Sequence, residues 1–202
     1  MYDQFRKELY QFPVFTRKDI DKKFEHFDSK NLVNWQRKGY ITKIRNNYYI
    51  FADKKKDETL LFLLANAIYT PSYISLESAL SYYHIIPEGV YTMTSITTLK
   101  TNRFETPLGH FNYAHVKNQL FFGYKIIKAN EMQFKIATIE KAILDYLYLH
   151  AKIKNKRDIE SLRWNKDTLD KIDRQLLENY LSLFKSKTLE RKTKHLISYI
   201  YA

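Results

Sequence analysis

Tyr2, Phe5, Leu9 and Phe12 fall at helical spacing and make one apolar stripe, which Pro13 interrupts. The stripe predicts a first helix. Thr16 followed by Asp19 reads as a capping box with Asp in place of Glu, and Phe15 and Ile20 take the positions of a hydrophobic staple. A second helix is therefore expected to run to about Phe24. Asp28 and Ser29 are caps for a third helix, Lys30 to Lys38, and Gly39 stands where a left-handed C-terminal residue is wanted. The runs Ile41-Thr-Lys-Ile-Arg and Tyr48-Tyr-Ile-Phe are β-prone, and Asn46-Asn47 between them suits a two-residue type I′ hairpin because Asn tolerates positive φ. Three short helices followed directly by a hairpin is the element order of a winged helix-turn-helix, here residues 1–56.

The stretch 52–58, Ala-Asp-Lys-Lys-Lys-Asp-Glu, is polar and charged and marks a boundary, which sets residues 57–202 apart as a second domain. An apolar helix is expected from near Thr59 to about Tyr69. A second should run from Leu76 to His84, capped by Ser75 and ended before Pro87. Residues 91–136 change period: Tyr91 to Thr98 is Thr-rich, His110 to Val116 alternates, and Leu120 to Ala129 is aromatic and β-branched. These predict strands, read as antiparallel. Thr138 then opens a strong helix, Ile139 to His150, and two or three amphipathic helices are expected on to Ala202. The fold class is α+β: an N-terminal winged helix-turn-helix, then a larger mixed domain with a small antiparallel sheet and C-terminal helices.

Composition narrows the function. A 45% hydrophobic and 16% aromatic content is enough to fill globular cores, and no run approaches the ~18 to 20 apolar residues of a membrane helix. The opening MYDQFRKELYQF lacks the apolar core of a signal peptide, so a cytoplasmic location is expected and no membrane partner. With no cysteine, disulfides, thiolate nucleophiles and Cys-based zinc sites are all excluded. The net charge of +12 favours a polyanionic partner, although A/T-rich coding also enriches Lys, Asn, Ile, Tyr and Phe. Distribution says more than the total: residues 1–56 hold about 14 Lys and Arg against about 7 Asp and Glu.

Projected at about 100° per residue, the third helix puts Leu32, Val33, Trp35 and Gln36 on one arc and Lys30, Asn31, Asn34, Arg37 and Lys38 on the other. The first arc is expected to pack, Trp35 being core there rather than a stacking platform. The second carries the residue types that pair with adenine or guanine edges in the major groove. Lys43, Arg45, Asn46 and Asn47 at the hairpin tip, and Thr16, Arg17 and Lys18 at the start of the second helix, add phosphate-reaching groups on the same side.

An enzyme is not expected. Phosphate-loop, dinucleotide-binding, nucleophile-elbow and zinc-protease motifs are missing, and four glycines leave little scope for a phosphate cradle. The histidines, His26, His84, His110, His115, His150 and His195, include no pair at ligand spacing. His110 and His115 fall on opposite faces of a strand. Glu140 and Asp145 diverge by about 140° around one helix, so they read as a dipole-compensating Glu and, through Lys141 four residues before Asp145, a surface ion pair. No metal and no cofactor are expected.

The order of parts then becomes informative. The segments Gly39-Tyr-Ile-Thr-Lys-Ile-Arg-Asn-Asn-Tyr-Tyr, Tyr73-Ile-Ser-Leu-Glu-Ser-Ala-Leu-Ser-Tyr-Tyr and Ile136-Ala-Thr-Ile-Glu-Lys-Ala-Ile-Leu-Asp145 resemble the AbiEi family of type IV toxin-antitoxin antitoxins over roughly residues 5 to 150. The resemblance implies a repressor that binds inverted repeats in the promoter of its own operon. It further implies a C-terminal domain that neutralises a neighbouring nucleotidyltransferase-like toxin without a stable complex, with Glu140, Lys141 and Asp145 in a motif of unassigned role. Asn46-Asn47 departs from the glycine expected at the wing tip. The alternative is a winged-helix module that serves a protein partner or RNA.

Overall fold

In the computed structural model, which describes residues 1–87, 89, 91–129 and 132–201, the first apolar stripe becomes α1 (Tyr2–Leu9) with Phe5 and Leu9 fully buried. Phe5 is the hub of an aromatic cluster, its ring centroid 4.5 to 5.9 Å from those of Phe15, Phe24, Phe27, Trp35 and Phe51. Phe15 belongs to a two-residue strand β1 (Phe15–Thr16), which the sequence pattern did not announce. The capping box is present at α2 (Arg17–Asp21), where Asp19 Oδ2 accepts from Thr16 N at 2.8 Å. This helix ends before Phe24 because the N–H groups of Lys23 and Phe24 both turn onto Ile20 O at 2.9 Å, which tightens its last turn.

α3 (Lys30–Arg37) follows, and Gly39 takes φ +71° beyond it, as its position requires. β2 (Ile41–Arg45) and β3 (Tyr48–Phe51) form the expected hairpin, and the three-stranded antiparallel sheet has the order β1-β3-β2. The turn differs from type I′, which needs positive φ at both central residues. Only Asn47 has it, at 66°, and the register slips between Lys43 and Arg45 as a bulge.

The second part begins with α4 (Glu58–Ile68), capped by Asp57. β4 (Ser72–Ile74) interrupts what had read as a helix-to-helix connection, and α5 (Leu76–Tyr82) comes next. Then come β5 (Thr92–Thr97), β6 (Asn102–Thr106), β7 (Gly109–His115), β8 (Tyr124–Ala129) and β9 (Met132–Ala137). Residues 130 and 131 of the expected strand region lie outside the described residues. These strands form one six-stranded sheet, order β6-β7-β5-β4-β9-β8. It is larger than expected and mixed rather than antiparallel: β4 runs parallel to β9 and β5 parallel to β7. Parallel pairing follows because β7 folds back on β6 and inserts between it and β5, while β9 returns from the far edge to lie beside β4.

Thr138 caps α6 (Ile139–Leu149), as its sequence signals. Among the described residues four helices follow instead of two or three: α7 (Lys156–Ser161), α8 (Lys166–Leu169), α9 (Arg174–Phe184) and α10 (Lys187–Ile200). Ala202, where the last helix was expected to end, is outside the described residues. The described residues form two apolar clusters, one around Phe5 and a larger one around the sheet. The hairpin serves both, since Tyr49 and Phe51 belong to the first whereas Ile44 and Ile50 are buried in the second.

Candidate nucleic-acid interface

Lys30, Asn34, Arg37 and Lys38 are exposed on the side of α3 away from Leu32 and Trp35, which are buried. Asn31 is half-buried, with its amide 3.3 Å from Met1 Sδ. Val33, expected to pack, is 48% exposed among the cations, because the apolar cluster closes over only the Leu32–Trp35 side. Lys43, Asn46 and Asn47 are exposed at the hairpin, and Asn47 O accepts from Arg17 N at 3.3 Å, which ties the hairpin tip to the start of α2.

Three candidates are already committed elsewhere. The Arg17 guanidinium donates to Asp21 Oδ1 at 2.8 Å, to Phe27 O at 2.9 Å and to Ser29 Oγ, joining α2 to the loop before α3. Thr16 is the cap, so with Asp19 seated on it the start of this five-residue helix offers no open anion site. Arg45 turns away from the tip. It donates to Ile68 O at 2.7 Å and lies 4.0 Å over the Phe104 ring, clamping the hairpin to α4 and β6. Lys18 alone of the α2 group is exposed.

The Glu140, Lys141, Asp145 motif is buried, which overturns the surface ion pair expected for it. Lys141 and Asp145 have no exposed side-chain surface, and Lys141 Nζ donates directly to Asp145 Oδ1. Tyr73 accepts from Lys141 Nζ at 2.9 Å and donates to Asp145 Oδ2 at 3.0 Å. Ser75 is the N-cap residue of α5, as expected, but its hydroxyl makes no capping bond and donates to Asp145 Oδ2 at 2.8 Å instead. Burial pushes the Asp145 carboxyl up and the Lys141 ammonium down, each opposed by the other's charge. The Tyr73 hydroxyl is pushed up by the same burial and by Asp145. Glu140 Oε1 accepts from Asp173 N at 3.1 Å, fixing α6 to the start of α9. The cluster thus joins α6, β4 and the first residue before α5.

Among the described residues no group of three or more His, Cys, Asp or Glu side chains is placed to hold a metal ion, and no helix is long and apolar enough to cross a membrane. No protein-family model matches the chain, and no curated protein matches its sequence.

Proposed function

We propose that residues 1–56 form a winged helix-turn-helix that binds double-stranded DNA, and that the chain is a cytoplasmic repressor and antitoxin. In this reading it binds promoter inverted repeats of its own operon and counteracts a nucleotidyltransferase-like toxin without a stable complex. One observation carries the DNA reading: the side chains of Lys30, Asn34 and Arg37 share the outward face of α3 with no hydrogen-bonding or ionic partner among the described residues. Charged groups that a protein does not satisfy itself are available to phosphates and base edges. Lys38, Lys43, Asn46 and Asn47 extend that face towards the hairpin, with Lys18 nearby as a phosphate contact. Val33 supplies an apolar contact of the kind that meets a thymine methyl.

Support for the antitoxin half is the resemblance alone. Two of the three segments that carry it, at Tyr73 and at Glu140, are joined by the buried Tyr73, Ser75, Lys141 and Asp145 cluster. In this reading that cluster holds the second domain's shape and takes part in no catalysis.

The deciding experiment is fluorescence anisotropy of the full chain on duplex DNA from immediately upstream of its gene, with a scrambled duplex and a single-stranded RNA of equal length as competitors. Preference for the upstream duplex, with affinity falling by roughly 0.9 log units per phosphate contact for each tenfold rise in salt, is the expected result. Equal competition by the scrambled duplex, or tighter binding of the RNA, rejects operator recognition. Growth of cells expressing the neighbouring toxin, with and without this chain, tests the second half.

A further inference from the structure

β5, β7 and β6 turn one face towards α5 and the end of α6, and part of that face is open. Thr94, Asn112 and Arg103 are register partners across the three strands, so their side chains stand on the same side. With Glu77 and Leu76 of α5 and His150 beyond α6 they line a groove of about 600 Å³. A second cavity of about 570 Å³ shares Glu77, Thr94 and Asn112 and continues to Tyr146 and Trp164. Each is within the range of small-molecule sites, roughly 300 to 1,000 Å³.

The groove's polar groups are held in place by one another. Arg103 Nε donates to Asn112 Oδ1 at 3.0 Å, which orients the guanidinium while leaving its two outer nitrogens unpartnered among the described residues. No carboxylate among them lies within ion-pair distance of Arg103. Opposite, His150 Nε2 lies 3.4 Å from Glu77 Oε1, and His150 Nδ1 is 2.8 Å from Tyr146 O. The imidazole stacks on Tyr146 at 3.8 Å, and Trp164 meets Tyr146 edge-on at 5.3 Å. The first cavity therefore offers a free planar cation, and the second, which adjoins it through Glu77, Thr94 and Asn112, offers the half-buried ring of Tyr146 beside the buried Trp164. That combination recognises an anionic oxygen group and a ring in one ligand.

We infer that this groove binds a small organic anion bearing a flat ring, its phosphate or carboxylate on the Arg103 fork and its ring towards Tyr146 and Trp164. The shared chemistry comes from two sources, a nucleoside monophosphate or an aromatic acid. The proposal does not depend on DNA binding, because it uses no residue of the N-terminal face.

Isothermal titration calorimetry of the full chain tests it, with the four ribonucleoside monophosphates, benzoate, inorganic phosphate and adenosine as probes. Binding by a monophosphate assigns the phosphate source, and binding by benzoate alone assigns the carboxylate. In either case Arg103→Ala is expected to weaken the interaction at least tenfold and Arg103→Lys less. Adenosine and inorganic phosphate should each bind at least tenfold more weakly than the ligand that combines their parts. Thermal unfolding of each variant shows whether it is folded, and Asn112→Ala gives a second route to the same loss. No heat from any ring-bearing anion, unchanged affinity in folded Arg103→Ala, or equal binding by adenosine overturns the inference.

Discussion

Lys141 shows how one residue's role depends on what packs over it. In water an i,i+4 Lys–Asp pair on a helix is worth a few tenths of a kcal/mol, but here both members are fully buried, with the Lys141 ammonium beside the rings of Tyr73, Phe122 and Phe184. Lys141→Met would leave the Asp145 carboxylate buried with only two hydroxyl donors, at a cost of about 3 to 5 kcal/mol. Adding Asp145→Leu removes the orphaned charge, so the double variant should lose less than the two singles together in urea unfolding. Strictly additive losses would contradict a coupled pair. Glu77 and His150 make the opposite case, a half-exposed pair. Hydrogen bonding to Glu77 raises His150 above 6.5, against burial and the nearby charge of Lys192. Burial works against the Glu77 carboxylate, yet bonds from His150 and its own backbone hold it below 4.5. The His150 contribution is full below 6.5 and lost as pH rises through its raised value. The Glu77 contribution is full above 4.5 and lost as pH falls through its lowered value. Glu77→Gln should therefore cost most between pH 4.5 and 6.5, by less than about 1 kcal/mol after solvent screening, and less on either side. A loss that does not vary from pH 4 to 9 would exclude the pair as its source.

At the scale of elements, what was legible in the sequence is what local rules dictate. The Phe5 stripe, the Thr16 and Thr138 caps and Gly39 each act within one turn of helix, and each stands where its pattern put it. β1 and β4 were not legible, since strands of two and three residues carry almost no period and exist only through partners far along the chain. The same division runs through the candidate interface. The outward face of α3 follows from helical geometry, whereas the capture of Arg17 by Phe27 and Ser29, and of Arg45 by Ile68, is tertiary. This sorting changes what each element should contribute on DNA. Asn34→Ala should cost roughly 1 to 3 kcal/mol on the preferred duplex only, because a base contact is lost. Lys43→Ala should weaken all duplexes alike and flatten the salt slope by about one phosphate. Replacing single thymines by uracil should weaken wild type at one position or more, and Val33→Ala should abolish that difference. Anisotropy titrations across salt measure all three; an unchanged specific-to-scrambled ratio for Asn34→Ala would show that α3 does not face the bases.

The whole molecule is joined through its hairpin. The polar run after β3 looks like a linker, and a cut near Asp57 would leave α4, the six-stranded sheet and α6 with most of their own apolar cluster. It would also strip Ile44 and Ile50 from that cluster and Arg45 from its place over Phe104. Two buried isoleucines removed from a core expose a complementary apolar patch, worth about 3 kcal/mol at the lower figure of about 1.5 for each side chain. A fragment of residues 57–202 should thus fold with the same sheet but unfold at lower urea than the same part of the full chain, and it should tend to self-associate. Residues 1–56 keep the Phe5 cluster intact and would expose the other side of the hairpin instead. Arg45→Ala in the full chain isolates the clamp from the apolar contact. It should lower stability by about 1 to 2 kcal/mol, since Ile68 O loses a charged donor, and loosen the hairpin against α4 and β6 while leaving the tip residues in place. Hydrogen exchange reads that loosening directly: β2 and β3 amides should exchange faster in Arg45→Ala, with β4 and β5 amides unchanged. If β2 and β3 protection stays at the wild-type level, the apolar contact alone holds the two parts together, and the guanidinium is free to serve the surface.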